Sequence, residues 1–201
     1  TLVCYNDKGE LDTTFGTNGK VTTDFNGSFD EAYSVTTLGG KIIVAGMVVM
    51  PISEGGESFA LACYNDKGEL DTTFGPNKNG KVTTDFFDGF NRAYSVTTLG
   101  GKIIVAGLLV ETSTYLDFAL VCYNENGELD TTFGTDGKVT TDFNGSYDEA
   151  YSVTTLGGKI IVAGVVRDNV TGDDFGLACY NENGELDTTF GPNKNGKVTT
   201  D

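Results

Sequence analysis

The sequence has no histidine and no tryptophan, and its 13 basic residues against 29 acidic ones give a formal net charge of −16. Without histidine the chain lacks the most common general acid–base side chain and a frequent zinc ligand. A strongly negative surface also repels phosphate backbones and anionic lipids. We therefore expect no enzymatic activity, no zinc site and no nucleic-acid partner.

Long apolar segments are also missing. The longest apolar run, residues 42–52, is interrupted by Gly46 and Pro51, and it is shorter than the roughly 18–20 residues that cross a membrane. Membrane insertion is therefore not expected. With 28 glycines, only 3 prolines and 38% hydrophobic residues, the composition is typical of a folded, turn-rich protein. Because the chain begins at Thr1 without a leader, we expect it to be a segment of a longer protein.

Internal repeats are the strongest feature of the sequence. The hexapeptide LDTTFG begins at residues 11, 70, 129 and 186, so the steps are 59, 59 and 57 residues. A fixed period of this length indicates a repeat architecture in which each repeat buries its apolar face against its neighbours. We divide the chain into repeats at approximately 1–24, which is partial, then 25–85, 86–142 and 143–201.

Each full repeat contains four predicted strands and no helical periodicity. Ser34–Leu38 and Lys41–Val49 are separated by Gly39-Gly40, which predicts a tight antiparallel hairpin because a type I′ turn requires two positive φ angles. Phe59–Asn65 and Lys81–Phe86 supply the third and fourth strands.

The predicted fold class is all-β: a β-propeller-type repeat array with four-stranded antiparallel blades and about 3.5 repeats present. The alternative is a parallel β-solenoid, which the hairpin disfavours because it makes neighbouring strands antiparallel. Two versions of the repeat alternate, with DEAYS in residues 30–34 and 148–152 but NRAYS in residues 91–95. This alternation predicts an even number of blades.

The segments GGKIIVAG, FALACYNDKGELDTTFG and NGKVTTDF resemble the delta-60 repeat, a bacterial family of repeats of roughly 60 residues. The resemblance covers essentially the whole chain and implies a propeller in a secreted or surface protein. Family members resemble one another most at an Arg before the Tyr-Asn pair. This sequence departs from them there, with a cysteine at residues 4, 63, 122 and 179.

The sequence AYSVTTLGGKIIVAG occurs without change at residues 32–46, 93–107 and 150–164, whereas the next dozen residues vary. Identical strands are expected where each blade packs on the next. The variable segments Met47–Ser58, Leu108–Asp117 and Val165–Asp174, with the joins between repeats, should lie on one face of the array. The candidate ligand or partner residues on this face are Phe90, Asn91, Arg92, Tyr115, Asp117, Arg167 and Asp168.

Three further sets of residues match weaker patterns. Asn124, Asn126 and Asp130 lie in a loop that resembles a calcium site, although a turn with a capping Asp explains the same residues. The N-glycosylation acceptor pattern occurs at Asn26, Asn144 and Asn169. The four cysteines occupy one equivalent strand position, which favours buried free thiols over disulfides.

Two acidic pairs, Asp30-Glu31 and Asp148-Glu149, could form a carboxylate dyad, but loop charges on a solvated surface explain them better. The sequence thus favours a non-enzymatic, extracellular or surface-exposed scaffold for structural assembly or multivalent interaction, with no cofactor unless calcium. The alternative is a glycan- or protein-binding, lectin-like propeller that uses the variable face. Expected partners are further copies of the chain, another protein or a glycan.

Overall fold

Antiparallel β-sheets form the part of the chain that the structure, a computed structural model, describes: residues 1–25, 29–50, 56–86, 89–112, 115–143, 147–168 and 172–200. Blade 1 is partial and consists of β1 (Leu2–Val3) and β2 (Lys20–Val21). Blade 2 consists of β3 (Asp30–Leu38), β4 (Lys41–Val49), β5 (Gly56–Tyr64) and β6 (Lys81–Thr84). Blade 3 consists of β7 (Gly89–Leu99), β8 (Lys102–Thr112), β9 (Tyr115–Tyr123) and β10 (Lys138–Thr141). Blade 4 consists of β11 (Asp148–Leu156), β12 (Lys159–Asp168), β13 (Gly172–Tyr180) and β14 (Lys197–Thr200).

Within each full blade the four strands pair antiparallel in chain order. The predicted hairpin turn is present, since Gly39 and Gly40 have φ angles of 58° and 79°. A short parallel pairing of Gly56 with Gly89 connects blade 2 to blade 3. The prediction of four-stranded antiparallel blades is therefore confirmed, and the solenoid alternative is wrong.

The first strand of each full blade contains a β-bulge at a tyrosine. The register of β3 against β4 shifts between Ala32 and Ser34, so Tyr33 is the extra residue. The same shift occurs at Tyr94 and Tyr151. A glycine lies opposite each bulge, and a Cβ at Gly107 would clash with the carbonyl oxygen of Arg92. The bulge thus explains why the Ala-Gly pair at the end of the repeated segment does not vary.

Two apolar cores lie between consecutive blades rather than inside them. Residues of blade 2, including Ile43, Phe59 and Leu61, pack against residues of blade 3, including Val96 and Val105. The opposite side of blade 3 packs in the same manner against blade 4. Each repeat therefore buries its apolar side chains only by contact with its neighbours.

Repeated polar contacts also join the blades. The amide of Val96 donates to Ser34 Oγ at 3.1 Å, and the amide of Val153 donates to Ser95 Oγ at 3.1 Å. All four of these residues fall in copies of the invariant fifteen-residue segment. Each serine accepts a hydrogen bond from the next blade. The segment does not vary because these contacts recur from one junction to the next.

A second recurrent contact lies at the outer part of the junction. The hydroxyl of Tyr123 in blade 3 donates to Thr84 Oγ1 in blade 2 at 2.7 Å. Tyr180 in blade 4 makes the same hydrogen bond to Thr141 in blade 3, also at 2.7 Å. Because both hydroxyls are buried, each pair satisfies groups that would otherwise be costly to bury.

Candidate functional site

The last blade exposes an apolar surface that the other blades bury. Phe175 in β13 is 78% exposed, whereas its counterparts Phe59 and Phe118 are fully buried. Ile161 and Leu177 lie on the same surface and are partly exposed. We call this set, Ile161, Ala163, Phe175 and Leu177, the open face of blade 4. Its composition equals that of the blade 3 surface, residues 104, 106, 118 and 120, on which blade 4 packs.

The opposite end of the array has a matching exposed surface. Val35 in the first strand of blade 2 is 55% exposed, but Val96 and Val153 at the equivalent positions are 6% exposed. Blade 1 covers the outer part of this surface, where Thr23 Oγ1 and the Tyr64 hydroxyl lie 2.6 Å apart. We call the uncovered inner part, around Val35, the entry face.

Phe90 and Arg92 line a surface groove at the variable end of the blades. The groove is also lined by Leu108, Val110, Leu116 and Glu149. Arg92 makes two hydrogen bonds to the Glu57 carboxylate of blade 2, one of them 2.9 Å from Nη2 to Oε1. This carboxylate raises the pKa of Arg92. The groove therefore combines an exposed aromatic ring with a guanidinium that is paired with Glu57.

Two of the predicted face residues are not on the surface. Asn91 and Asp117 are buried, because each lies in a strand, β7 or β9, whose end packs between blades. Neither side chain therefore contributes to the surface of the described part of the chain, and a contact with a partner stays a prediction. The variable segments, expected as loops, form strand ends in large part, since β8 extends to Thr112 and β9 begins at Tyr115.

The remaining predicted residues divide into two groups. Arg167 is exposed; its Nε lies 2.6 Å from Asp173 Oδ1, and its guanidinium lies 5.2 Å from the centre of the Tyr147 ring. The second group falls outside the described part of the structure. This group comprises the three residues Asn26, Asn144 and Asn169 and the side chains of Tyr115 and Asp168.

A row of tyrosines along the first strands was not found by sequence reasoning. The ring centres of Tyr33 and Tyr94 are 5.3 Å apart, and those of Tyr94 and Tyr151 are 5.4 Å apart. The hydroxyl of Tyr151 donates to Glu149 at 2.7 Å, which, with burial, raises the pKa of Tyr151 to about 12. The unvarying Ala-Tyr-Ser triplet could have indicated this row of tyrosines. An alternating strand pattern, however, does not predict the bulge at the tyrosine.

The sequence predicts that the acidic pairs are loop charges on a solvated surface, but both pairs lie in strands. Asp30 and Asp148 begin the strands β3 and β11, and Asp148 is fully buried. Glu31, by contrast, accepts a hydrogen bond from the Tyr33 hydroxyl. Adjacent strand residues point to opposite sides of a sheet, so the two carboxyls of each pair do not form a dyad.

The calcium-like loop is held together by its own hydrogen bonds. Asn124 Oδ1 accepts the amide of Asn126 at 2.9 Å, and Asp130 Oδ1 accepts the amide of Thr132 at 3.1 Å. The ammonium of Lys102 lies 2.7 Å from Asp130 Oδ2. This ion pair, followed by the hydrogen bond from Thr132, lowers the pKa of Asp130 to about 2. The interpretation as a capped turn therefore accounts for these oxygen atoms.

All four cysteines are free, and three of them are buried. Burial raises the pKa of the Cys63 thiol to about 11 and that of the Cys122 thiol to about 12. Thiols with such high pKa values are poor nucleophiles and poor metal ligands at neutral pH. The prediction of buried free thiols is confirmed for Cys63, Cys122 and Cys179.

A comparison with known proteins gives the family but no activity. No curated protein matches the sequence. None of the residues that the structure describes belongs to a helix long and apolar enough to cross a membrane. The model of a β-propeller domain of unknown function, DUF5122, matches residues 40–74, 101–133 and 158–190. These matches cover half of the sequence and fall once in each full blade, so the chain belongs to the DUF5122 β-propeller family.

Proposed function

We propose that this chain is a non-enzymatic repeat scaffold, outside the cell or at its surface, that acts by assembly. In this proposal the open face of blade 4 receives a surface like the entry face of blade 2, supplied by a further repeat or by a second copy of the chain. The observation that carries the proposal is the exposure of Phe175, 78% against full burial of its two counterparts. A soluble protein rarely leaves such a contiguous apolar surface without a partner.

The open face and the entry face are expected to be complementary because they repeat the residues of the two sides of an existing junction. Blade 3 already binds blade 4 through the residues that blade 4 repeats on its open face. Ser152 is exposed and is the counterpart of Ser34 and Ser95, whose hydroxyls accept an amide of the following blade. An incoming first strand with Val35 at its centre would supply both the apolar side chain and the amide.

Head-to-tail contact of this kind is heterologous, so it produces rings when the rotation closes and open arrays when it does not. The net charge of −16 opposes association at long range. Salt screens this repulsion but leaves the apolar contact intact. We therefore expect association to strengthen as the salt concentration rises, which distinguishes it from an ion-pair interface.

Sedimentation velocity of the purified chain over a range of concentrations tests the proposal. The wild-type chain should associate, and Phe175→Asp should remain monomeric because the charge cannot be buried in the apolar contact. Phe90→Asp is the matched control, since it places the same charge on an exposed phenylalanine at the variable end. A wild-type chain that stays monomeric, or equal association of both variants, would contradict the proposal.

A second candidate function is binding of a glycan or a protein in the groove at Phe90. The specific observation in its favour is the combination of Phe90 and Arg92 in one groove, since aromatic rings stack on sugars and hot spots favour aromatic residues and Arg. A glycan-array screen followed by Phe90→Ala tests it. Arg167→Ala, at the same end of the blades but outside the groove, is the control, and a ligand that binds both variants equally argues against the groove.

A further inference from the structure

Three aspartates converge at the junction of blades 3 and 4. Asp117 lies in β9, Asp142 follows the end of β10, and Asp148 is the first residue of β11. One carboxylate oxygen from each residue lies within 4.8 Å of the other two. Asp148 is fully buried and Asp117 is 8% exposed. Three carboxylates so close together repel one another unless something compensates their charge.

A separate observation concerns the hydrogen bonding of Asp148. Its Oδ2 accepts the amide of Phe143 at 2.7 Å, but its buried Oδ1 has no hydrogen-bond partner among the residues that the structure describes. A buried carboxylate oxygen without a partner is costly, and such groups in folded proteins are paired or coordinate a metal ion. The vacant acceptor on Asp148 therefore points to a ligand that supplies positive charge.

Another junction in the chain has a largely neutral version of the same arrangement. Between blades 2 and 3 the equivalent positions hold Ser58, Asp85 and Asn91, so only one of the three residues is acidic. Ser58 and Asn91 are buried, like Asp117 and Asp148. A junction of this type thus folds without the two buried carboxylates, and these carboxylates at the next junction have a role beyond packing.

The first junction repeats part of the acidic version. Asp24 and Asp30 occupy the positions of Asp142 and Asp148. Asp30 Oδ2 accepts the amide of Phe25 at 3.0 Å, and Asp30 Oδ1 is again buried without a hydrogen-bond partner among the described residues. A carboxylate oxygen without a hydrogen-bond partner among the described residues thus occurs at both acidic junctions, and Ser58 Oγ is its uncharged counterpart at the neutral junction.

Lys197 lies at this junction. The ammonium of Lys197 donates to the backbone carbonyl of Asp142 at 2.8 Å and lies 5.4 Å from the centre of the Phe143 ring. The Lys197 ammonium thus contacts a backbone carbonyl oxygen of this cluster. A group of three carboxylates suits a divalent cation with a preference for oxygen ligands.

We propose that Asp117, Asp142 and Asp148 bind a divalent cation of the size of calcium. Calcium accepts carboxylate oxygens in flexible geometry, whereas magnesium requires a near-ideal octahedron and usually keeps several waters. One carboxylate oxygen from each aspartate lies within 4.8 Å of the other two, close enough for one ion to contact all three. The bound cation joins β9 and β10 of blade 3 to β11 of blade 4, so it strengthens a junction independently of the proposed assembly.

Isothermal titration calorimetry with CaCl2, on chain first treated with a chelator, tests this site. The double variant Asp117→Ser/Asp148→Asn copies the residues of the neutral junction and is therefore expected to fold. Asp85→Asn, at the neutral junction, is the control. We expect calcium to bind the wild-type chain and the control alike, and to bind the double variant at least about tenfold more weakly because two charged ligands are lost.

Thermal unfolding gives a second readout. Calcium should raise the melting temperature of the wild-type chain and of Asp85→Asn, but not that of the double variant, because a ligand stabilises only the state that binds it. Absence of calcium binding to the wild-type chain would overturn the proposal. Equal binding to a folded double variant would also overturn it, and tighter binding of Mg²⁺ than of Ca²⁺ would refute the assignment of ion size.

Discussion

The junction between blades 3 and 4 and the open face of blade 4 present the same residues in two environments. Phe118 is fully buried in the junction, whereas Phe175, at the same strand position one blade later, is 78% exposed. Both residues lie in the third strand of an antiparallel blade. Blade 4 covers Phe118, whereas the described residues leave Phe175 exposed.

This comparison shows that burial in the array is a property of neighbouring pairs of repeats. A repeat protein gains its stability from the interface between consecutive units as well as from the units themselves. The fixed segments of the sequence are therefore contact surfaces. The account predicts that substitutions at equivalent positions will have different effects according to whether a neighbour covers them.

The largest expected difference is between Phe118→Ala and Phe175→Ala. Loss of the fully buried Phe118 side chain leaves a cavity between blades, and we expect it to lower the free energy of unfolding by about 3–5 kcal/mol. Phe175→Ala should change it by less than about 1 kcal/mol at low protein concentration. Urea unfolding followed by circular dichroism measures both, and equal losses would mean that the open face is covered in the isolated chain.

Gly107→Ala tests the bulge that presents the same surface in every blade. The added methyl group would meet the carbonyl oxygen of Arg92, and we expect a loss of about 1–3 kcal/mol in the free energy of unfolding, typical of overpacking. The measurement is again urea unfolding. A variant as stable as wild type would show that the backbone opposite Tyr94 can relax without cost.

An effect of comparable size is expected from Tyr123→Phe, which removes the hydroxyl that donates to Thr84 Oγ1 at 2.7 Å. The buried Thr84 hydroxyl loses its partner, at a cost of about 1–3 kcal/mol. Tyr5 occupies the same position in the partial blade and is exposed, so Tyr5→Phe is the matched control. Thermal unfolding should separate the two variants, and identical melting temperatures would contradict the role of the junction.

The smallest effect concerns the ion pair of Lys102 with Asp130. The pKa of Asp130 is lowered from its ordinary value of 3.8 to about 2, so the pair stabilises the fold above about pH 4 and loses this effect as the pH falls toward 2. The contribution should stay below about 1 kcal/mol because Lys102 is partly exposed. Asp130→Asn should therefore reduce the loss of stability between pH 4 and pH 2. An unchanged loss would contradict a stabilising role of this ion pair.

Sequence reasoning was most successful where structure depends on local pattern. The alternation and the apolar runs around Gly39-Gly40 predicted β3 and β4, with a turn at the observed place. The period of LDTTFG predicted that blades repeat. Both features are contained within a few consecutive residues or in their recurrence, so no knowledge of the tertiary contacts was needed.

The sequence reasoning failed where distant segments meet. Burial of Asn91 and Asp117 depends on how the ends of two strands pack against the next blade. The aspartate cluster joins residues from a third strand, the end of a fourth strand and the following first strand. Tyr33 was missed because the bulge moves it out of the alternating pattern. Each of these features is specified by the junction between repeats.

The most direct test of the open face uses the absence of tryptophan from the chain. Phe175→Trp introduces a single tryptophan at the centre of that face, and its emission reports whether water surrounds it. The account predicts emission typical of an exposed indole in dilute solution and a shift to shorter wavelength as protein or salt concentration rises. Emission that stays at the exposed position at every concentration, with no change in mass by light scattering, would contradict assembly through this face.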